Sequence, residues 1–355
     1  MKLFLFKNWK AILIITFILA LTCLLSLTYY IYNIYNKPIK TSGEKKTTII
    51  LVPRGSTFNK VTNIIREKGM LPHPRLYDYL AKKLKAHSRI QSGEFEINHS
   101  WNTHKLLKFL ISGKSILHRI TIPEGINFSE IANRLHNSNL GSKETILSLK
   151  QDPDLIRKTG VPEAKSLEGF LFPETYFFSR AETERQILST MIRQYRKVFN
   201  SDFRKRAKEI GMNEYEVLIL ASIIEKETGS GSERPLISSV FHNRLKRKMR
   251  LDSDPTVIYG IKDFDGNLTR KHLKTPSPYN TYTKYGLPPT PITNPGKESL
   301  KSTLYPAKNK FLYFVARGDG TSKFSKTLRE HNKAVWFFQK VRKNREAMRR
   351  KKKKK

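Results

Sequence analysis

Cysteine is almost absent from this chain of 355 residues, and the shortage excludes two kinds of site. A single cysteine, Cys23, allows neither an intrachain disulfide nor a cysteine-based metal site. The nine histidines show no H-E-x-x-H or similar spacing. We therefore expect no metal and no cofactor.

Acidic residues are also scarce. Asp and Glu total 30 against 67 Lys and Arg, so the formal net charge is +37, which suggests an anionic partner. Nucleic acid, acidic lipid and an acidic polymer such as a cell wall are the possibilities. The basic residues carry no zinc-finger, RNP or helix-turn-helix signature, and they form one dense run only, at residues 349–355. We expect no nucleic-acid partner.

One apolar segment is long enough to cross a bilayer. Residues 11–36 carry no charge and exceed the roughly 20 residues that a spanning helix needs. Trp9 before the segment and Tyr29, Tyr30, Tyr32 and Tyr35 near its end are typical of membrane interfaces. The segment lacks the cleavage site of a removable signal peptide, and a buried core helix is the alternative. The sequence predicts a single-pass anchor in the cell (inner) membrane.

The orientation of the anchor does not follow from its flanking charges, because lysines stand on both sides of it. Long soluble domains translocate largely regardless of charge, and the segment before the anchor is short. We therefore expect the body of the protein to be extracytoplasmic.

A strand–turn–helix pattern occurs twice in the chain. Residues 50–58, ILVPRGSTF, are echoed by residues 120–128, ITIPEGINF. Each copy predicts a short strand, a Pro-x-Gly turn and an amphipathic helix. Between them, residues 92–97 predict a strand and residues 103–112 a helix. A small α+β module of this kind resembles the LysM family, which binds glycans containing N-acetylglucosamine. A spacer without a ligand is the open alternative.

The apolar segment 214–228, EYEVLILASIIEKET, carries two carboxylates near its end. On a helical wheel Glu227 falls within the apolar sector, whereas Glu225 falls outside it. A carboxyl group held against apolar side chains loses solvation of its charged form, which raises its pKa towards that of a general acid. The wheel leaves two alternatives open for Glu227: a core-edge ion pair with arginine, and a solvated or capping glutamate at a helix end.

The loop at residues 276–282, PSPYNTY, combines prolines with Tyr, Asn and Thr. Aromatic faces pack on sugar C–H groups, and amide or hydroxyl groups bind sugar hydroxyls, so this composition suits a glycan cleft. A simple turn is the alternative.

Several long motifs resemble the MltG, or YceG-like, family of endolytic murein transglycosylases. They are EGFLFPETYFF (168–178), ASIIEKET (221–228), ERPLISSVFHNRL (233–245), LDSDPTVIYG (251–260), PYNTYTKYGLPPTPITNPG (278–296) and the segment 305–332. The resemblance implies that Glu227, the second carboxylate of the EKE triplet, is the catalytic acid and base. It also implies that Glu227 protonates the oxygen between N-acetylmuramic acid and N-acetylglucosamine. The muramyl C6 hydroxyl would then attack C1 and leave a 1,6-anhydro end without consuming water.

Five residues are the predicted substrate-binding set. They are Tyr279, Asn280, Thr281 and Tyr282 of the loop and Asp254, which we expect to shape the cleft. The expected substrate is the glycan strand of peptidoglycan, and the family resemblance suggests work on nascent strands beside peptidoglycan synthases. A noncatalytic, membrane-anchored glycan-binding scaffold is the alternative function.

The predicted architecture is α+β, with an N-terminal transmembrane helix, a small LysM-like module and a larger YceG-like catalytic domain. The predicted parts are residues 1–46 (cytoplasmic tail, anchor and linker), 47–116 (LysM-like), 117–340 (catalytic) and 341–355 (basic tail).

Overall fold

A computed structural model describes residues 9–40, 46–227 and 231–341 of the chain. The predicted basic tail after residue 341 and most of the predicted cytoplasmic tail lie outside the described residues. The chain divides into two compact units, Met1–His118 with Phe177–Glu182, and Arg119–Tyr176 with Thr183–Lys355.

The first helix, α1, spans Trp9–Asn36, and none of its residues is buried by the rest of the protein. With 28 residues, it is long and apolar enough to cross a membrane. Directly after it, Ile39 is only 1 % exposed, and its backbone N–H donates to the Trp101 carbonyl at 2.8 Å. This part of the predicted linker therefore belongs to the folded first unit.

After α1, the first unit contains two antiparallel strands and three α-helices. These elements are β1 (Thr47–Val52), α2 (Phe58–Glu67), α3 (Pro74–Lys83), β2 (Gly93–Asn98) and α4 (Thr103–Ser112). The register of the sheet runs from Thr47 opposite Asn98 to Val52 opposite Gly93. Ile50 and Val52 point into the core and Ile49 and Leu51 outwards, which is the two-residue alternation of a strand with one covered face.

The second unit is mainly helical. Its elements up to the central helix are β3 (His118–Thr121), α5 (Phe128–Asn137), α6 (Lys143–Ser148), α7 (Pro153–Thr159), β4 (Thr175–Phe178), α8 (Glu184–Val198), α9 (Ser201–Glu209) and α10 (Glu214–Glu227). The first residue of β3 and the last two of β4 are counted with the first unit in the division above. The remaining elements are α11 (Arg234–Lys246), α12 (Asp254–Tyr259), α13 (Arg270–Lys274), α14 (Lys297–Leu304), β5 (Tyr313–Ala316), β6 (Ser322–Ser325) and α15 (Leu328–Val335). Strand β3 pairs with β4, and β5 pairs antiparallel with β6.

Helix α10 is the centre of the second unit. Every residue from Val217 to Ile224 is buried, so the helix is apolar on all sides rather than along one stripe. It packs against α14, α11 and α12. Its C-terminal residue, Glu227, lines an open cleft.

Both predicted strand–turn–helix copies are confirmed. In each copy a strand leads through a glycine of positive φ, 74° at Gly55 and 76° at Gly125, into a helix of ten residues. Glycine suits these turns because the left-handed region costs it no steric strain. Thr57 and Asn127 cap the two helices by accepting from the N–H three residues on.

Candidate functional site

The second unit contains an open cleft of about 600 Å³ at the end of α10. Its lining combines carboxylates, an arginine, a histidine and aromatic rings with a few apolar residues. The lining includes Glu227, Arg244, Asp252, Asp254, Tyr282, Tyr313, Phe314, His331 and Asn332. Such a mixed polar and aromatic surface suits a polar ligand with hydroxyl groups.

Glu227 has the most strongly perturbed carboxyl group in the cleft. Burial raises its pKa to about 7, a hydrogen bond from Ser253 opposes the rise, Asp254 adds to it and Arg244 opposes it. The Ser253 hydroxyl donates to Oε1 of Glu227 at 2.5 Å. A carboxyl group with a pKa near 7 can hold a proton at neutral pH and give it up during a reaction.

Ser253 is held in place by two threonines. Its backbone N–H donates to Oγ1 of Thr281 at 3.0 Å, and its carbonyl accepts from Oγ1 of Thr256 at 2.7 Å. The two threonine hydroxyls lie 2.9 Å apart. All three residues are buried, so the segment beside Glu227 is fixed by polar contacts from which water is excluded.

Asp254 and Tyr282 of the predicted substrate-binding set both line the cleft. The Tyr282 hydroxyl donates to Oδ1 of Asp254 at 2.7 Å, and burial together with this bond raises the pKa of Tyr282. Asp254 itself is exposed. These two side chains are therefore available to a ligand as a coupled pair.

The other three members of that set lie outside the cleft lining. Asn280 is buried, and its amide donates to the carbonyls of His272, Leu273 and Thr275 at 3.3, 3.1 and 2.7 Å. Its Oδ1 accepts from the Tyr282 N–H at 2.9 Å, which shapes the loop from inside. Thr281 supports Ser253 as described.

Tyr279 is half-buried. Its hydroxyl lies 2.9 Å from Oγ1 of Thr290, and its ring packs edge-on against Tyr259 with the centroids 4.9 Å apart. Direct glycan contacts by Tyr279, Asn280 and Thr281 remain predictions.

Arg244 is a cleft residue that the sequence motifs did not single out. Its guanidinium donates to the carbonyls of Leu312 and Leu251 at 2.7 and 2.9 Å and to Asp252 Oδ2 at 3.0 Å. It also lies over the Tyr313 ring, 5.2 Å from the centroid. Arg244 thus connects the segment before Ser253 to the start of β5, whose residues also line the cleft.

His331 and Tyr313 form a ring pair in the cleft, stacked with their centroids 5.2 Å apart. Burial, together with the nearby charge of Arg244, lowers the pKa of His331 and so favours the neutral ring. Both residues lie in the motif of residues 305–332, but their pairing depends on the packing of α15 against β5.

Glu225, the other carboxylate of the triplet, has a different environment. Its Oε1 accepts from Arg234 at 3.3 Å and its Oε2 from the Gly296 N–H at 2.9 Å. The wheel set it apart from the apolar sector, yet its side chain is only 6 % exposed. Burial alone therefore does not separate the two carboxylates, and what distinguishes Glu227 is the open cleft that it lines.

A buried polar cluster lies at the far end of α12 and also escaped the sequence reasoning. Glu168 is fully buried and accepts from the Phe128 N–H at 2.8 Å and the Tyr259 hydroxyl at 2.9 Å. Lys150 pairs with its Oε2 at 3.1 Å. The motif EGFLFPET contained Glu168, but its partners are distant in sequence.

Within the described ranges 9–40, 46–227 and 231–341, no cluster of three or more His, Cys, Asp or Glu side chains could hold a metal ion.

A carboxyl group of raised pKa beside an open polar cleft is the arrangement that general acid–base enzymes use. The profile of the YceG-like family matches residues 50–336. The endolytic murein transglycosylase of Bacillus subtilis (strain 168) is 33 % identical over 322 residues, which cover 85 % of this chain and 88 % of that protein. The chain belongs to the YceG-like family, as its motifs predicted.

Two further comparisons agree. The endolytic murein transglycosylase of Streptococcus pneumoniae serotype 2 is 27 % identical over 329 residues, and the match spans 59 % of its length. The crystal structure of a yceG-like protein from Listeria monocytogenes has a TM-score of 0.56 and 32 % identity, and the match covers 82 % of this chain and 99 % of that one. None of these matches tests the LysM resemblance of the first unit, which stays a prediction.

Proposed function

We propose that this protein cleaves peptidoglycan glycan strands as an endolytic lytic transglycosylase. The relatives of known name are endolytic murein transglycosylases, and one of them matches along 85 % of this chain. The single observation that supports the chemistry is Glu227, whose pKa is raised to about 7 beside an open cleft. A membrane-anchored scaffold without activity would gain nothing from such a group.

Glu227 serves as the acid in the first half of the reaction. Its proton passes to the oxygen between N-acetylmuramic acid and N-acetylglucosamine as the bond from that oxygen to the muramyl C1 breaks. The carboxylate then accepts the proton of the muramyl C6 hydroxyl as that oxygen bonds to C1. A 1,6-anhydro end and a free N-acetylglucosamine hydroxyl result, and Glu227 regains its proton.

No second carboxylate is needed as a nucleophile, because the attacking hydroxyl is part of the substrate and its effective molarity is high. Ordinary glycosidases use a pair of carboxyl groups instead. Two other carboxylates line this cleft, but Asp252 is paired with Arg244 and Asp254 accepts from Tyr282. We propose that Asp254 and Tyr282 bind the sugar chain, with Asn280 and Thr281 holding the loop beneath them.

Helix α1 supports a proposal for the location of the enzyme. We propose that α1 anchors the chain in the cell membrane as a single pass, with both soluble units on the outer side where peptidoglycan lies. Protease added to whole cells should then degrade the soluble units. In a control protein whose anchor has been inverted, the soluble units should be protected.

Two finer proposals concern the surroundings of the reaction. The first unit, with its β1–α2–α3–β2 order, would bind N-acetylglucosamine-containing glycan in the manner of a LysM domain. The enzyme would act on nascent strands beside peptidoglycan synthases and so set where a strand ends. Binding of the purified chain to naked glycan strands, with and without substitutions in the first unit, tests the first proposal.

The activity is tested by mass spectrometry of purified peptidoglycan digested with the full chain in detergent. The wild type should release products with anhydro-muramyl ends from within strands. Glu227→Gln should release at least about a hundredfold less, because general acid–base groups contribute roughly 10²–10⁴-fold.

Glu225→Gln is the matched control, since it removes the neighbouring carboxylate of the same helix. It should keep the anhydro product, because Glu225 is bound to Arg234 and the Gly296 backbone away from the cleft. Equal release by Glu227→Gln and the wild type would contradict the role of Glu227. Products that have gained water would identify a hydrolase instead.

A further inference from the structure

The hydrogen bond between Ser253 and Glu227 distinguishes the two oxygens of the Glu227 carboxyl group. Oε1 accepts from the Ser253 hydroxyl at 2.5 Å. Within the described part of the chain, no side chain or backbone N–H donates to Oε2. With Oε1 accepting from Ser253, Oε2 is the oxygen left to carry the single proton of the acid.

Ser253 can impose this arrangement because it cannot easily move. It is only 1 % exposed, its N–H is bound by Thr281 and its carbonyl by Thr256. Arg244 additionally binds the Leu251 carbonyl and the Asp252 carboxylate just before it in sequence. A serine fixed on both sides presents its hydroxyl in one direction only.

We propose that Ser253 is a positioning residue for the reaction: its hydroxyl holds Oε1 of Glu227 and leaves the proton on Oε2 to meet the glycosidic oxygen. This inference rests on the proposed function and adds a residue to it. After the proton has left, the same hydroxyl stabilises the carboxylate until the C6 hydroxyl returns a proton. Hydrogen bonds to charged groups are about twice as strong as neutral ones, so Ser253 favours the step in which charge develops.

Thr281 takes part indirectly. Oγ1 of Thr281 accepts from the Ser253 N–H at 3.0 Å and lies 2.9 Å from the Thr256 hydroxyl. The same loop carries Tyr282 on the cleft surface. A sugar that displaces this loop would therefore also displace the support of the acid.

The charged and titratable groups around the cleft at Glu227 must be considered together in any test that varies pH. They are Asp252 before α12, Asp254 at the start of α12, Arg244 of α11, Tyr282 of the loop after α13 and His331 of α15. Replacing Ser253 by alanine leaves all of these in place and removes one donor to the carboxylate.

The test is the pH dependence of kcat for Ser253→Ala, measured on peptidoglycan with the full chain. Loss of the donor destabilises the carboxylate, so the pKa of Glu227 rises further and the fall in rate at high pH moves up by about one pH unit. We expect kcat to drop about tenfold or more with little change in KM, since Ser253 is buried behind the cleft surface. Ser253→Thr keeps a hydroxyl and should restore a profile close to that of the wild type.

Thr281→Val tests the support and should shift the profile in the same direction by less. Ser239→Ala is the matched control, because Ser239 is also buried and donates to a helix carbonyl at 2.6 Å, away from Glu227. It should leave the pH profile unchanged. A folded Ser253→Ala enzyme with the wild-type pH profile and kcat would overturn the proposal, even if Glu227→Gln is inactive and the proposed function holds.

Discussion

The two strand–turn–helix copies have the same local structure and different surroundings. Both have a left-handed glycine, a capping residue and a ten-residue helix that starts with phenylalanine. In the first copy, the side chain of Thr57 caps the start of α2. The second has a reciprocal capping box between Asn127 and Glu130, and the buried carboxylate of Glu168 at the start of α5.

This difference shows where the site is encoded. A short stretch of sequence suffices for a strand, a turn and a capped helix, because the interactions that form them are local. The carboxylate at the second helix is supplied by a residue 40 positions away, and the tyrosine that shares it is 91 positions from it. The second copy is thus tied to the rest of its unit by residues that are distant in sequence, Glu168 and Tyr259.

Among these variants, removal of Glu168 should cause the largest loss of stability, and this loss should be specific to the second strand–turn–helix copy. Glu168→Ala leaves Lys150 and the Phe128 N–H without their buried partner, and losing one side of a buried pair costs about 3–5 kcal/mol. Thermal unfolding of the purified chain measures the loss. Glu96→Ala is the control in the first unit, because Glu96 is exposed and its removal should stay within about 0.5 kcal/mol. Equal effects of the two variants would mean that Glu168 does not stabilise the second copy.

Substitution of the turn glycine in either copy should cost less stability than removal of Glu168, and it allows the two copies to be compared at equivalent positions. Alanine at Gly55 or Gly125 must adopt a left-handed conformation, which costs roughly 1–2 kcal/mol in either copy. Only at Gly125 would the added Cβ also meet α10, at 3.4 Å from Cγ of Glu225, and the Gly125 carbonyl accepts from Lys226.

Both variants should therefore lose similar stability in thermal unfolding, whereas only Gly125→Ala should lose activity several-fold. If Gly55→Ala lowers the activity as much as Gly125→Ala, the second copy has no special link to the end of α10.

The elements with local signals were the ones that the sequence predicted well. The helix at Thr103–Ser112 matches its predicted bounds, and the strand Gly93–Asn98 lies within one residue of them. The motif around Glu227 pointed to a residue that the structure places in the cleft. The wheel, in contrast, could not separate Glu225 from Glu227 by burial, because α10 has no solvent-facing side from Val217 to Ile224.

The supports of the site could not be predicted in the same way. Ser253 lies in the motif LDSDPTVIYG, but its contact with Glu227 joins residues 26 positions apart. Arg244 binds a carbonyl 68 positions away, at Leu312. Asn280 and Thr281 are residue types that often bind sugar hydroxyls. Only the fold shows that their side chains form hydrogen bonds within the protein instead. Such pairings depend on how distant segments pack.

The most direct test of the account is the pH dependence of kcat for the wild-type chain, followed by release of anhydro-muramyl ends. Glu227 must be protonated to act as the acid, and burial raises its pKa to about 7. The rate should therefore fall as the pH rises through about 7, and Glu227→Gln should show no such titration. A rate that stays level across this range, or that falls near the ordinary glutamate pKa of about 4.3, would contradict the claim that Glu227 is the acid.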